Sequence, residues 1–130
     1  MTENRFVLYT NAVIFLTTKG NAISSGLQDE LNKADLFISA ITEIELFAKP
    51  ALPPDEEEKL RAFISDRISV IGLTGAVKNE AITLRRAIKI KLPDCIVAAT
   101  AIALNAVLLT ADRELLRLEW PKYKAEHLIK

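Results

Sequence analysis

Three carboxylates, Glu45, Asp94 and Asp112, stand far apart along the chain, each a short way beyond an apolar run, and Tyr9 holds a fourth position of the same kind. Acids drawn together from distant segments repel, and without a cation some would take up protons to relieve the conflict. A divalent ion removes it. Magnesium or manganese prefers oxygen ligands and retains several waters, so one or two direct carboxylates, with others acting through water, make a workable site. Such an ion makes its bound water a better nucleophile and stabilises charge developing on a phosphate, so the chemistry these residues would support is phosphodiester hydrolysis. Acids just after strands also serve as helix caps, and capping alone would account for Asp94 and Asp112. Glu45 lies about a turn inside its helix, where it is less readily a cap and could be a solvated helix residue.

The elements that must position these groups are legible from apolar patterning. Phe6-Val7-Leu8-Tyr9 reads as a buried strand, Asn11 as a helix cap, and Ala12 to Leu16 as the helix, stopped near Gly20. Ile23, Leu27 and Leu31 form the buried stripe of a second helix, and Leu36 to Ser39 a second strand. A helix from Thr42 to Lys49 ends at Pro50. After the stiff loop Pro50 to Pro54, the acids Asp55 to Glu58 open another helix with Leu60, Phe63 and Ile64 inward, followed by strand Ile68 to Ile71. Thr74 caps a long helix, with stripe Val77, Ala81, Leu84 and Ile88, that runs to about Lys91.

A deep helix, apolar nearly all round, runs from Pro93 to Asn105, and Val107 to Thr110 is a fourth strand. Asp112 to Leu118 forms a short helix, and His127-Leu128-Ile129 is the candidate fifth strand. Short apolar strands separated by helices imply an α/β fold, a central parallel sheet of about five strands flanked by helices. In such sheets the functional crevice lies beyond the carboxyl ends of the strands, where connections diverge to opposite faces. Tyr9 and Asp112 come directly after strands, and Glu45 and Asp94 lie on the helices that follow, so all four can face one pocket.

The 130 residues suit one domain, spanning 1–130, with half of them hydrophobic and 26% charged. Seventeen basic and seventeen acidic residues cancel, so any nucleic-acid contact must come from a local patch. Lys78, Arg85 and Lys89 supply a candidate, since steps of seven and four residues place them within about 20 degrees of one helical line, with Arg86 beside them. An ordinary solvated helix face explains them equally. The longest apolar stretch, Cys95 to Ala106, is far short of the roughly 20 residues that span a bilayer, and the N-terminus lacks a secretory pattern, so the expected location is cytoplasmic with no membrane contact. The one cysteine, Cys95, reads as a buried inert thiol, Trp120 and His127 as tail packing, and no paired histidines or cysteines offer a zinc site.

Four segments carry a resemblance. Val7-Leu8-Tyr9-Thr10-Asn11-Ala12-Val13-Ile14, Ser39-Ala40-Ile41-Thr42-Glu43-Ile44-Glu45-Leu46, Leu92-Pro93-Asp94-Cys95-Ile96-Val97-Ala98-Ala99-Thr100-Ala101 and Leu109-Thr110-Ala111-Asp112-Arg113-Glu114-Leu115 resemble, in order, the motifs of the PIN-domain family, and within it the VapC-type toxins of toxin-antitoxin pairs. The resemblance implies a magnesium- or manganese-dependent endoribonuclease in which Glu45, Asp94 and Asp112 take the acidic roles and Asn11 and Thr110 are polar supports. It also implies a homodimer, an RNA substrate and a VapB-like antitoxin whose tail covers the acidic cleft.

Tyr9 departs from the family's first acid, usually a direct metal ligand. A neutral phenol is a poor ligand for magnesium, and its ring fills space meant for ion and water, so weak metal binding and greatly reduced cleavage are expected. The alternative is a catalytically inactive PIN domain acting as an RNA- or protein-binding module. A receiver-like domain phosphorylated on an acid fits poorly, since the first strand offers no acceptor aspartate.

Overall fold

Alternation along the first strand decides the layout of the two layers. In β1 (Arg5–Leu8), Phe6 and Leu8 enter one apolar cluster, while Val7 and the following Tyr9 enter another on the opposite face of the sheet. The structure, a computed structural model, describes residues 4–18 and 25–128. The expected helix stop at Gly20, the first stripe residue Ile23 and the final strand residue Ile129 lie outside them.

The element order is β1, α1 (Thr10–Thr17), α2 (Ser25–Lys33), β2 (Asp35–Ser39), α3 (Ala40–Phe47), α4 (Pro54–Arg67), β3 (Ile68–Ile71), α5 (Gly75–Ala87), α6 (Leu92–Leu104), β4 (Val107–Thr110), α7 (Arg113–Arg117) and β5 (Lys124–His127). All described strand pairs are parallel, in the order β3-β2-β1-β4-β5. This is the α/β architecture expected. Phe6, Leu8, Leu36 and Ile38 pack with Val13, Leu31, Leu46 and Leu60 on one face. Val7 and Leu108 pack with Leu84, Val97, Ala98 and Leu115 on the other. Residues Cys95 to Ile102 of α6 are buried without interruption, which is why that helix carries no polar stripe.

Four elements have boundaries two residues or more from the sequence reading. Helix α3 spans Ala40–Phe47 rather than Thr42 to Lys49, because Ser39 caps it by accepting from the Ile41 N–H and Ala48 closes it before Pro50. Helix α1 begins at Thr10, with Tyr9 at its N-cap position, because the Tyr9 carbonyl already accepts from Ala12 and Val13; Asn11 is therefore inside the helix and its side chain is free for other work. Helix α5 stops at Ala87, not near Lys91, since Ile88 is extended at φ −131, ψ 142 and still packs inward. Helical spacing points Ile88 at the core as the extended conformation does, so the apolar stripe runs one residue past the helix; Ile90, about 200 degrees from Ile88 on a helix, reaches the core only because the segment is not helical. Strand β5 lies at Lys124–His127, a few residues earlier than the expected His127 start, since a sheet edge carries charged residues and little apolar signal. No helix among the described residues is long and apolar enough to cross a membrane.

Candidate active site

The strand order reverses at β1, whose neighbours β2 and β4 lie on its two sides, so the crevice opens beyond the carboxyl ends of β1 and β4. Tyr9 leaves β1 there, its N–H bonded to the Leu109 carbonyl at 3.1 Å. Pleat alternation sends its ring to the Val7 face, toward α6, where the hydroxyl donates to Asp94 Oδ1 at 2.5 Å. The next residue, Thr10, has its Oγ1 donating to Glu45 Oε1 at 2.5 Å. Asn11 accepts at Oδ1 from the Ala111 N–H (3.2 Å) and donates to Thr110 Oγ1 (3.4 Å), which accepts in turn from the Asp112 N–H (3.0 Å). Three consecutive residues therefore tie the first segment to all three of the others.

Capping separates the acids. Asp112 does cap α7, accepting from the Leu115 N–H at 3.1 Å, whereas Asp94 lies in the first turn of α6, past its N-cap Lys91, and its side chain accepts from Tyr9. Glu45 is exposed on the last turn of α3, whose cap is Ser39 accepting from the Ile41 N–H. Thr10 is the contributor that sequence reasoning passed over, although it stands between Tyr9 and Asn11. Thr42, one turn before Glu45, is fully buried with no partner for its Oγ1. Thr42→Val therefore leaves stability unchanged or raises it by up to about 1 kcal/mol in urea denaturation, and a loss larger than that shows the hydroxyl to be bonded.

Glu45 and Asp94 line different depressions. Glu45 lines an open one with Tyr9, Thr10 and Asn11, and Asp94 lines a second, about 480 Å³ in volume, toward α7. Tyr9 stands at the first and hydrogen-bonds the acid of the second. Among the described residues no three His, Cys, Asp or Glu side chains are grouped so as to hold a metal ion. The residues present therefore do not fit a divalent ion shared by three carboxylates: the phenol takes one Asp94 oxygen and offers only a neutral donor in place of an anion.

Burial first, then the Asp94 hydrogen bond and the charges of Asp94, Glu45 and Asp112, push the Tyr9 phenol far above its ordinary value. Tyr123, whose hydroxyl donates to the Leu115 carbonyl at 2.6 Å, is also pushed up, by burial and then by Asp112 and Asp94. These are the chain's two tyrosines. The folded chain holds both protons more tightly than the unfolded one, so their stabilisation is whole below about pH 10 and is lost as pH rises toward the folded-state values. Absorbance at 295 nm should rise only together with unfolding; a tyrosine titrating near pH 10 in the folded chain contradicts this burial.

Cys95 is buried, its Sγ donating to the Ala81 carbonyl at 3.3 Å, and burial raises its thiol, as expected of an inert group. Trp120 packs against the α6 face of the core. Arg85 and Lys89 line the Asp94 groove with Lys91; Lys78, two helical turns before Arg85 on α5, is not among its lining residues, and because α5 ends at Ala87 Lys89 does not continue their helical line.

A PIN domain profile matches residues 6–121. No curated protein sequence matches the chain. Among solved structures, a chain of VapBC2 from Rickettsia felis, bound to a DNA fragment from their promoter, is similar with TM-score 0.77 at 23% identity, covering 95% of this chain and 98% of that one. DNA-bound VapBC from Salmonella typhimurium gives TM-score 0.72 at 23% identity over 96% and 98%. A toxin-antitoxin complex from Klebsiella pneumoniae gives 0.67 at 24% over 91% and 98%. At these identities the likeness is one of fold.

Proposed function

Because the chain belongs to the PIN-domain family, we propose that it is a VapC-like toxin, a cytoplasmic endoribonuclease of the metal-dependent type whose hydrolysis of RNA phosphodiester bonds is impaired here by Tyr9. The observation that carries this reading is the Tyr9–Asp94 hydrogen bond at 2.5 Å, made where the four motif segments meet. Glu45, Asp94 and Asp112 are the proposed catalytic and metal-binding acids, Asn11 and Thr110 their supports, and magnesium or manganese the ion, bound weakly or not at all while Tyr9 stands there.

A VapB-like antitoxin is the proposed partner, supported by the VapBC complexes to which the chain is similar in fold. Beside Glu45 a groove of about 320 Å³ has Leu46, Leu52 and Leu60 among its walls and Lys49 and Lys59 at its rim, the mixed character that an amphipathic peptide tail requires. A homodimer is the proposed assembly; Ile82 and Leu92, exposed at 54% and 50%, are apolar surface that a second copy would cover.

The same hydrogen bond favours one competing reading, an inactive PIN domain kept as an RNA- or protein-binding module. Tyr9→Asp separates the two. Manganese-dependent RNA cleavage and growth arrest on expression support the toxin; a folded variant that gives neither leaves the binding module.

A further inference from the structure

Charge that no carboxylate meets is concentrated along one short segment. Past the end of α5, Ile88 and Lys91 are extended (φ −131, ψ 142 and φ −64, ψ 144). Ile88 and Ile90 pack against the core while Lys89 and Lys91 are exposed, as an extended segment with period-two alternation requires. Two lysines are therefore turned away from the core, and a strand-like rise over the two residues puts their backbone origins roughly 6.5 Å apart, a step comparable with that between successive phosphates of an extended strand. Arg85 comes from the last turn of α5, and its Nε donates to the Ile90 carbonyl at 3.2 Å, which fixes the segment and the guanidinium together.

All three cations line the groove of about 480 Å³ that contains Asp94, with Glu114 on its other wall. None of the three forms an ion pair with a described residue. A row of cations beside an acid expected to face a phosphate suits a polyanionic backbone. No aromatic side chain lines the groove, so it offers contacts to phosphate and none of the stacking that would grip particular bases.

We infer that this groove holds the phosphodiester backbone of a single RNA strand, with Lys89 and Lys91 on consecutive phosphates and Arg85 beside them, and leads it to Asp94. The inference rests on the ribonuclease reading and adds to it a direction of approach, from the α5 end and α7, opposite the Glu45 groove. Contacts of this kind do not depend on a metal ion and so survive in the Tyr9 chain.

The test is equilibrium binding of a short single-stranded RNA of mixed sequence to the unaltered chain in EDTA across a salt series. It is repeated with Lys89→Ala plus Lys91→Ala and with the control pair Lys33→Ala plus Lys124→Ala. Two lost phosphate contacts lower the slope of log affinity against log salt by about 1.4 and weaken binding roughly 10- to 30-fold at 0.1 M salt, with the control pair unchanged. Equal behaviour of the two pairs, or binding by the parent chain that ignores salt, overturns the proposal. So does a lysine-dependent complex with a polyglutamate peptide where RNA shows none. Since no cleavage is read, the outcome is independent of the Tyr9→Asp experiment: a cleaving Tyr9→Asp chain indifferent to the lysines sinks the groove alone, and lysine-dependent binding without cleavage sinks the toxin reading alone.

Discussion

Tyr9→Asp produces manganese-dependent RNA cleavage at least about 100-fold above the parent chain, the scale of effect associated with one preorganised group that stabilises developing charge. The expectation follows from the surroundings of Tyr9 rather than from the substitution alone. Its hydroxyl holds Asp94, its neighbours Thr10 and Asn11 hold Glu45 and the Thr110-Ala111 turn, and that turn carries Asp112. Only the first of these links is lost in the variant. A carboxylate there has the shorter reach and the anionic oxygens that a hard cation prefers, and it releases Asp94 to the same ion. Tyr9→Phe divides the two parts of the blockade: it frees Asp94 but keeps the ring, and it should remain as inactive as the parent. Cleavage by the Phe variant would place the fault in the hydrogen bond rather than in the missing acid.

The second large effect is on stability and has the opposite sign. Tyr9 is 8% exposed and belongs to the apolar cluster with Val7, Leu84 and Leu108. Exchanging it for aspartate removes a buried ring and adds a negative charge among three acids already close enough to disfavour ionisation of the phenol. The cost is about 3 kcal/mol or more, a fall of roughly 10 °C in Tm. Manganese at about 100 times its dissociation constant returns about 2.7 kcal/mol, because it binds the folded chain and not the unfolded one. Thermal denaturation with and without EDTA reads both numbers. The parent chain should show no manganese-dependent shift, and a shift of equal size in both chains would mean that the ion binds elsewhere.

Much of this arrangement could be read from residue order. The apolar runs Phe6 to Leu8, Leu36 to Ser39 and Val107 to Thr110 are strands because a sheet covered on both faces needs no polar alternation, while Ile68 to Ile71 forms an edge strand with Ser69 and Val70 exposed. The order of the strands, and with it the crevice beside β1, followed from the α/β reading only as a class; the pairing itself depends on contacts between distant segments. Asn11 shows the limit well. As a residue type it suits a cap, yet the Tyr9 carbonyl starts the helix first and the Asn11 amide goes to Thr110 and Ala111 instead. The two depressions were also illegible, since Tyr9 sends its hydroxyl to Asp94 through pleat alternation combined with the placement of α6, and no local pattern encodes that meeting.

The most direct measurement is a crystal structure of the Tyr9→Asp chain grown with manganese and read by anomalous scattering. One peak about 2.1 Å from an oxygen of Asp94 and one of the new aspartate, with Glu45 and Asp112 turned toward its waters, is the expected result. A correctly folded variant with no peak in that crevice, or with its peak on a separate surface, would contradict the claim that Tyr9 is what stands between this scaffold and a working metal site.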